Sequence, residues 1–156
     1  MSQSGNRNRG LAHHVLRVGT HNVRGMLSHV HQLVDVWQRL QLDVVLVQET
    51  WVSFWTRGEV EVQLNAACRQ RAHSHPGFQV HWGYNLIGNA ARSAGVAVLI
   101  RKGLCAAGQL VVREPQMVAT VEGRFLKVPV EWGGHKLQLV SVYGPNDSVP
   151  QQQFKQ

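Results

Sequence analysis

The apolar positions change period twice within the first fifty residues. From Val15 to His21 they are nearly continuous, the texture of a strand buried on both faces. In "MLSHVHQLVDVWQRLQL", residues 26–42, Leu27, Val30, Leu33, Val34, Trp37 and Leu40 fall at helical spacing and predict a helix with one apolar stripe. Asp43 to Gln48 returns to a continuous apolar run, so the opening unit reads strand–helix–strand. A crossover of this kind leaves its two strands parallel. "TRGEVEVQLNAACRQRA", residues 56–72, predicts a short helix.

From Phe78 the texture changes. "FQVHWGY", "AGVAVLI", "GQLVVRE", "MVATVEG", "FLKVPVEW" and "HKLQLVSVY" are short apolar or alternating runs divided by Gly, Pro or Asn turns. Gly133-Gly134 between the last two is a two-residue hairpin signal. The second half is therefore expected to be a mostly antiparallel meander added to the parallel pair, in an α/β fold. The polar first ten residues lack the apolar core of a secretory signal, and residues 1–14 read as a disordered tail before one domain over 15–156. Ser148 or Pro150 would start a helix, and the sequence stops about two turns later, the pattern of an interrupted element.

Charge adds a partner class. Sixteen Lys and Arg oppose nine Asp and Glu, for a net charge of +7, which suits a polyanion: nucleic acid first, an anionic membrane second. No apolar run reaches the roughly 18–20 residues that span a bilayer, so no membrane is expected. Cys68 and Cys105 match no metal or redox spacing and are expected as reduced thiols, without disulfides, in an intracellular compartment. The nine histidines lack partnering Cys or carboxylate patterns; His29, His31, His73 and His75 read as surface or turn residues.

Candidate chemistry lies at two strand tips. The first strand ends in Thr-His-Asn before Arg24-Gly25, and the second ends in Gln-Glu-Thr. Active groups on strand–helix–strand units collect at the carboxyl ends of the strands, where Asn22 and Glu49 both fall. A carboxylate at the tip of a buried strand is costly unless it meets a cation or water. Mg²⁺ would suit it, because that ion takes one or two carboxylates and fills its remaining positions with water and phosphate oxygens. Asn22 brings no charge, but its amide can hydrogen-bond a phosphate or a metal-bound water. On the residues alone, the same pair also reads as a turn former and a helix cap.

The order strand–"HNVRG", helix, strand–"QET", "SAGVAVLI" and "LVSVYGPN" resembles the endonuclease/exonuclease/phosphatase superfamily. Within it the chain is most similar to the N-terminal half of the apurinic-type endonuclease domain of LINE-type (non-LTR) retrotransposon reverse transcriptases. The resemblance implies a partial α/β sandwich: one mixed sheet with flanking helices, the second half missing, and an inner apolar face left bare. It implies divalent-metal-dependent phosphodiester hydrolysis, with Mg²⁺ or Mn²⁺ as cofactor and DNA as substrate. Asn22 then looks like the Asn that positions phosphate and metal, Glu49 like the metal-binding Glu, and Tyr143 like the Tyr whose hydroxyl nears the scissile phosphate. Asn146 resembles a residue on the DNA-facing rim, and Arg24 joins it as a nucleic-acid contact. Without the family, Tyr143 and Asn146 are a strand end and a turn. Gly95 reads as a close-packing position.

The resemblance also marks what this sequence lacks. The "GDFN"-like motif that orients the attacking water and the "SDH"-like motif with its His have no counterpart; no Asp follows Asp147, and the last His is His135. The chain alone is thus expected to bind DNA weakly and without sequence preference and to be inactive, its parent element working in the nucleus. The alternatives are a basic nucleic-acid-binding module without catalysis, or a phosphoesterase of the same fold acting on another phosphate.

Overall fold

The structure, a computed structural model, describes residues 15–72, 74–86 and 94–144. Strand β1 (Val18–Asn22) runs through a short 3-10 turn into helix α1 (Val30–Arg39), and β2 (Val44–Gln48) follows. β1 and β2 pair in parallel, from Val18 opposite Val44 to Asn22 opposite Gln48. Helix α2 (Arg57–Arg71) then leads to β3 (Phe78–Gly83) and β4 (Val96–Arg101), which join antiparallel and complete a mixed sheet of order β1-β2-β4-β3. The second half comprises α3 (Lys102–Ala106), β5 (Leu110–Val112), β6 (Val118–Ala119), β7 (Phe125–Trp132) and β8 (His135–Val142).

The helices cover one face of the mixed sheet. Val30, Leu33, Val34 and Trp37 of α1 are buried at the predicted spacing, whereas Leu27 and Leu40, at the ends of the expected stripe, are exposed. α2 packs beside α1 through Val60, Leu64, Ala67 and Cys68. Asp35 fastens the pair, accepting from Arg71 at 2.6 Å and from Arg39 at 2.9 Å.

Strands β5 to β8 do not extend the mixed sheet as a meander. They form a second, antiparallel sheet with β5 and β6 along one edge of β7 and β8 along the other. The reason lies in β4, whose residues Val96 to Ile100 are all fully buried. Such a strand needs cover on both faces; α1 and α2 supply one, and Leu126, Val128 and Val130 of β7 with Leu139 of β8 supply the other. The inner face expected to lie bare is therefore closed. The Gly133-Gly134 turn forms as expected, both residues at positive φ (55° and 81°) between paired Trp132 and His135.

Two further expectations fail. β1 is not buried on both faces: it is an edge strand, alternately exposed and half-buried, with Val18 45% exposed. Apolar composition reports which residues gain from cover, not whether a neighbour provides it. His75 is buried rather than superficial, its Nδ1 accepting from the Gly77 N–H at 3.0 Å; burial, and the Arg101 charge beside it, hold its pKa down. Cys68 and Cys105 are free thiols, and burial pushes the Cys68 thiol up to about 11. Among the described residues no helix is long and apolar enough to cross a membrane. The tail 1–14, Asn146 and the helix start at Ser148 lie outside the described residues.

Candidate active site

The carboxyl ends of β1 and β2 are adjacent because the strands are parallel and in register. The chain leaves each through an irregular loop, and the loops are laced together. Val23 N–H donates to Gln48 O, Gly25 N–H to Glu49 O and Met26 N–H to Thr50 O, at 2.9–3.0 Å. Across this seam Asn22 Nδ2 donates to Glu49 Oε1 at 2.9 Å. The expected pair thus meets directly, with Asn22 exposed and Glu49 half-buried.

Backbone strain concentrates here. Arg24 (φ 48°), Glu49 (φ 54°) and Trp51 (φ 54°) occupy the left-handed region, which costs a residue with a Cβ about 1–2 kcal/mol. Three such residues in two neighbouring loops persist only because the surroundings over-determine them. The Trp51 ring lies against Gly25, where any Cβ would collide with it, and its buried indole Nε1 has no hydrogen-bond partner among the described residues. Gly95 is the close-packing position the sequence suggested: its φ is 100°, and a side chain there would strike the Thr50 hydroxyl. Its carbonyl in turn accepts the Thr50 N–H at 3.0 Å.

The second sheet reaches the same end. Ser141 Oγ donates to Val47 O at 2.8 Å and accepts from Gln48 Nε2 at 3.1 Å, and that amide also reaches Thr20 Oγ1 at 3.1 Å. Gly95 N–H donates to Gly123 O at 2.9 Å, which ties the β4 start to the loop before β7. Tyr143 lies two residues beyond Ser141, and its N–H donates to Arg124 O at 2.8 Å. Its ring is 8% exposed, sits in the core between the sheets, and has the Arg124 guanidinium 5.0 Å from its centre. Asn22, Glu49 and Tyr143 therefore share one end of the sandwich: the first two touch, and the third is set in the facing sheet. Arg24 is exposed in the β1 loop.

Thr20, Gln48 and Ser141 bridge the sheets beside the pair and were not singled out from the sequence. A signal existed for one of them. In "LQLVSVY" the inward positions of β8 are Leu137, Leu139, Ser141 and Tyr143, so Ser141 is a polar residue on an apolar face.

A cavity of about 330 Å³ opens instead at the opposite end of the sheet, lined by Arg17, Asp43, His75 and Arg101 among others. Its distance from the strand tips separates it from the chemistry of Asn22 and Glu49. Among the described residues no three His, Cys, Asp or Glu side chains cluster as a metal cage. The donors at the strand tips are one carboxylate and one amide, both hard oxygen carriers, which fits a loosely held Mg²⁺ that retains water.

These observations define an α/β sandwich with a polar site at the carboxyl ends of its first two strands. Residues 19–156 match the model of the Endonuclease/Exonuclease/phosphatase family, and the chain belongs to that family. No curated protein matches it. Among solved structures it is similar to an AP endonuclease from Archaeoglobus fulgidus, with 17% identity, a TM-score of 0.55, and coverage of 89% of this chain and 46% of that one. It is likewise similar to the AP endonuclease LMAP from Leishmania major (13% identity, TM-score 0.59, 88% and 43% covered). TDP2 from Caenorhabditis elegans is a third (14%, 0.55, 88% and 38%). The chain spans about half the length of these structures or less, and at such identities the likeness is one of fold.

Proposed function

We propose that this chain carries the first-strand part of a divalent-metal-dependent phosphodiesterase site that acts on DNA, of the kind found in retroelement endonucleases. The observation that carries the reading is the 2.9 Å contact between Asn22 and Glu49 at two adjacent strand tips, in loops held in strained conformations. Membership of the family supports hydrolysis of a phosphate ester, and the likeness to two AP endonucleases supports DNA as substrate. Net charge +7 supports the same partner.

Glu49 would hold the ion, Mg²⁺ or Mn²⁺, through the carboxylate oxygen that Asn22 leaves free. The chemistry such an ion would supply at Glu49 is polarisation of a phosphodiester and a lowered pKa for water. Asn22 fixes the carboxylate through Oε1, and its amide oxygen could accept a hydrogen bond at the same site. Tyr143, held by Arg124, brings a phenol to the facing side, and Arg24 adds positive charge for the phosphate backbone. The orienting Asp and the His of the family pattern have no counterpart among the 156 residues, so the chain by itself cuts DNA at background level and binds it weakly. A rival reading, a basic module that binds nucleic acid without cutting, draws support from the net charge of +7.

Paramagnetic Mn²⁺ titration followed by NMR tests the site. Millimolar Mn²⁺ should broaden the Asn22 side-chain amide and the backbone of Glu49 and Thr50 first, and Glu49→Ala should abolish this. Broadening centred on the histidines, unchanged in Glu49→Ala, would place the ion elsewhere and defeat the proposal.

A further inference from the structure

Four aromatic side chains form a ladder that the hydrolytic site does not use. Trp82 and Tyr84, on β3 and just past it, stack with centroids 5.9 Å apart and planes 20° from parallel. Phe54 meets Tyr84 edge to face at 6.0 Å, and Trp55 meets Phe54 edge to face at 5.4 Å. The inner rung is anchored, with Trp82 Nε1 donating to Glu61 Oε1 at 2.7 Å. The outer rungs stand in water: Phe54 is 47% exposed and Trp55 89%. Single exposed apolar residues are ordinary, but an adjoining Phe–Trp pair at the head of a ladder is a patch.

The pair is also held rigidly. Phe54 and Trp55 are the middle residues of a turn closed by Ser53 and Thr56, each side chain accepting from the other's backbone N–H at 3.0–3.3 Å. The two hydroxyl oxygens lie 3.1 Å apart in a hydrogen bond of their own. Thr56 N–H and Arg57 N–H both donate to Ser53 O. Arg57 places its guanidinium 3.8 Å from the Phe54 ring centre, and its charge acts on Tyr84 as well. The result is a fixed aromatic surface with a cation beside it.

We infer that Phe54 and Trp55 form a stacking platform for an unpaired nucleobase of the DNA strand. Every base presents a π-face, and aromatic rings interleaved with Arg are the general chemistry by which single strands are held without sequence preference. The inference rests on the proposed function for its substrate. Trp55 follows Glu49 by six residues, which bounds their separation at about 22 Å. That span is roughly six base steps at 3.4 Å each, so a base stacked there would belong to the strand engaged at Glu49. An anionic bilayer also suits Trp with Arg, but it is gripped by a long apolar helix face, not by one short turn.

The test measures binding in EDTA, where turnover cannot contribute, so its outcome is independent of the role given to Glu49. Probes are an oligonucleotide with 2-aminopurine in single-stranded form and the same sequence as a blunt duplex. The single strand should quench Trp fluorescence, and Trp55→Ala should weaken it about 5- to 150-fold, the range for loss of one stacked base. Trp55→Phe should restore most of the affinity. Duplex affinity should stay within about twofold, as for any exposed surface change. Equal losses on single strand and duplex would show a non-stacking role and overturn the inference. So would Trp55-dependent binding to phosphatidylserine vesicles with no effect of Trp55→Ala on the oligonucleotide. Because Trp55 lies outside the core, an unchanged thermal midpoint is expected and checks that the variant is folded.

Discussion

Two carboxylates stand at opposite ends of β2, and their surroundings differ in kind. Asp43, just before the strand, is 3% exposed and has an internal partner at each oxygen: Oδ2 accepts from the Arg17 N–H at 2.9 Å, and Oδ1 faces the Arg101 guanidinium at 4.0 Å. Its backbone completes the clasp, donating to Arg17 O and accepting from Arg101 N–H, both at 2.8 Å. Glu49, just after the strand, is half-buried and sits on a left-handed backbone, and its carboxylate has the Asn22 amide as its one hydrogen-bond partner among the described residues. A buried carboxylate with both oxygens turned to groups of its own chain serves the fold. One held by a single donor on strained backbone is the carboxylate on which the proposed metal site rests.

The contrast predicts opposite responses to substitution. The largest effect is on activity. In a chain completed by fusion to the remaining half of a family domain, Glu49→Ala should lower Mg²⁺-dependent plasmid nicking by about 10²–10³-fold, the scale of losing one transition-state electrostatic contact. The unfused chain should nick at background. Strong nicking by the unfused chain that Glu49→Ala removes would show the site to be complete as it stands.

Stability should respond at the other end. Asp43→Ala leaves the Arg17 N–H and a partly buried guanidinium unpartnered and should cost about 2 kcal/mol in urea unfolding. Glu49→Ala should shift stability by less than about 0.5 kcal/mol, as surface changes do. Reversal of the two magnitudes would erase the distinction drawn between them.

Acid provides the mildest probe. His75, lining the cavity at the Asp43 end, and His81 on β3 both have pKa values held below their ordinary 6.5, in each case chiefly by burial. As pH falls through 6.5 the unfolded chain takes up protons that the folded chain refuses, so stability declines. It is fully present above 6.5 and lost progressively toward the lower folded values. Thermal melts at pH 7.5 and 5.5 should show the drop, and His81→Leu, which also removes a buried unpartnered Nε2, should flatten it. A pH-independent midpoint would mean that neither ring is buried as described.

Much of the scaffold was legible because its signals are local. The α1 stripe, the Gly-Gly hairpin and the strand tips at Asn22 and Glu49 each declare themselves within a few residues. What escaped depends on distant partners. Val18 is as apolar as Val45, yet one lies at an open edge and the other in the core, a difference made by strand order alone. The Ser141–Gln48–Thr20 bridge joins residues from three strands, and only the inward placement of Ser141 hinted at it. The ladder from Trp82 to Trp55 spans two elements whose proximity no periodicity encodes.

The Ser141 bridge also sets a clock. Asn22 and Glu49 are 27 residues apart, but Ser141 lies 93 residues beyond Gln48. At about 5–20 residues added per second, a ribosome delivers Ser141 some 5–20 s after Gln48. Until β7 is made, the strand-tip pair can form while β2, and then β4, lack Leu126, Val128 and Val130 against their second face. The nascent chain can thus meet the cell with Asn22 and Glu49 in contact and its inner sheet still open to whatever apolar surface reaches it first.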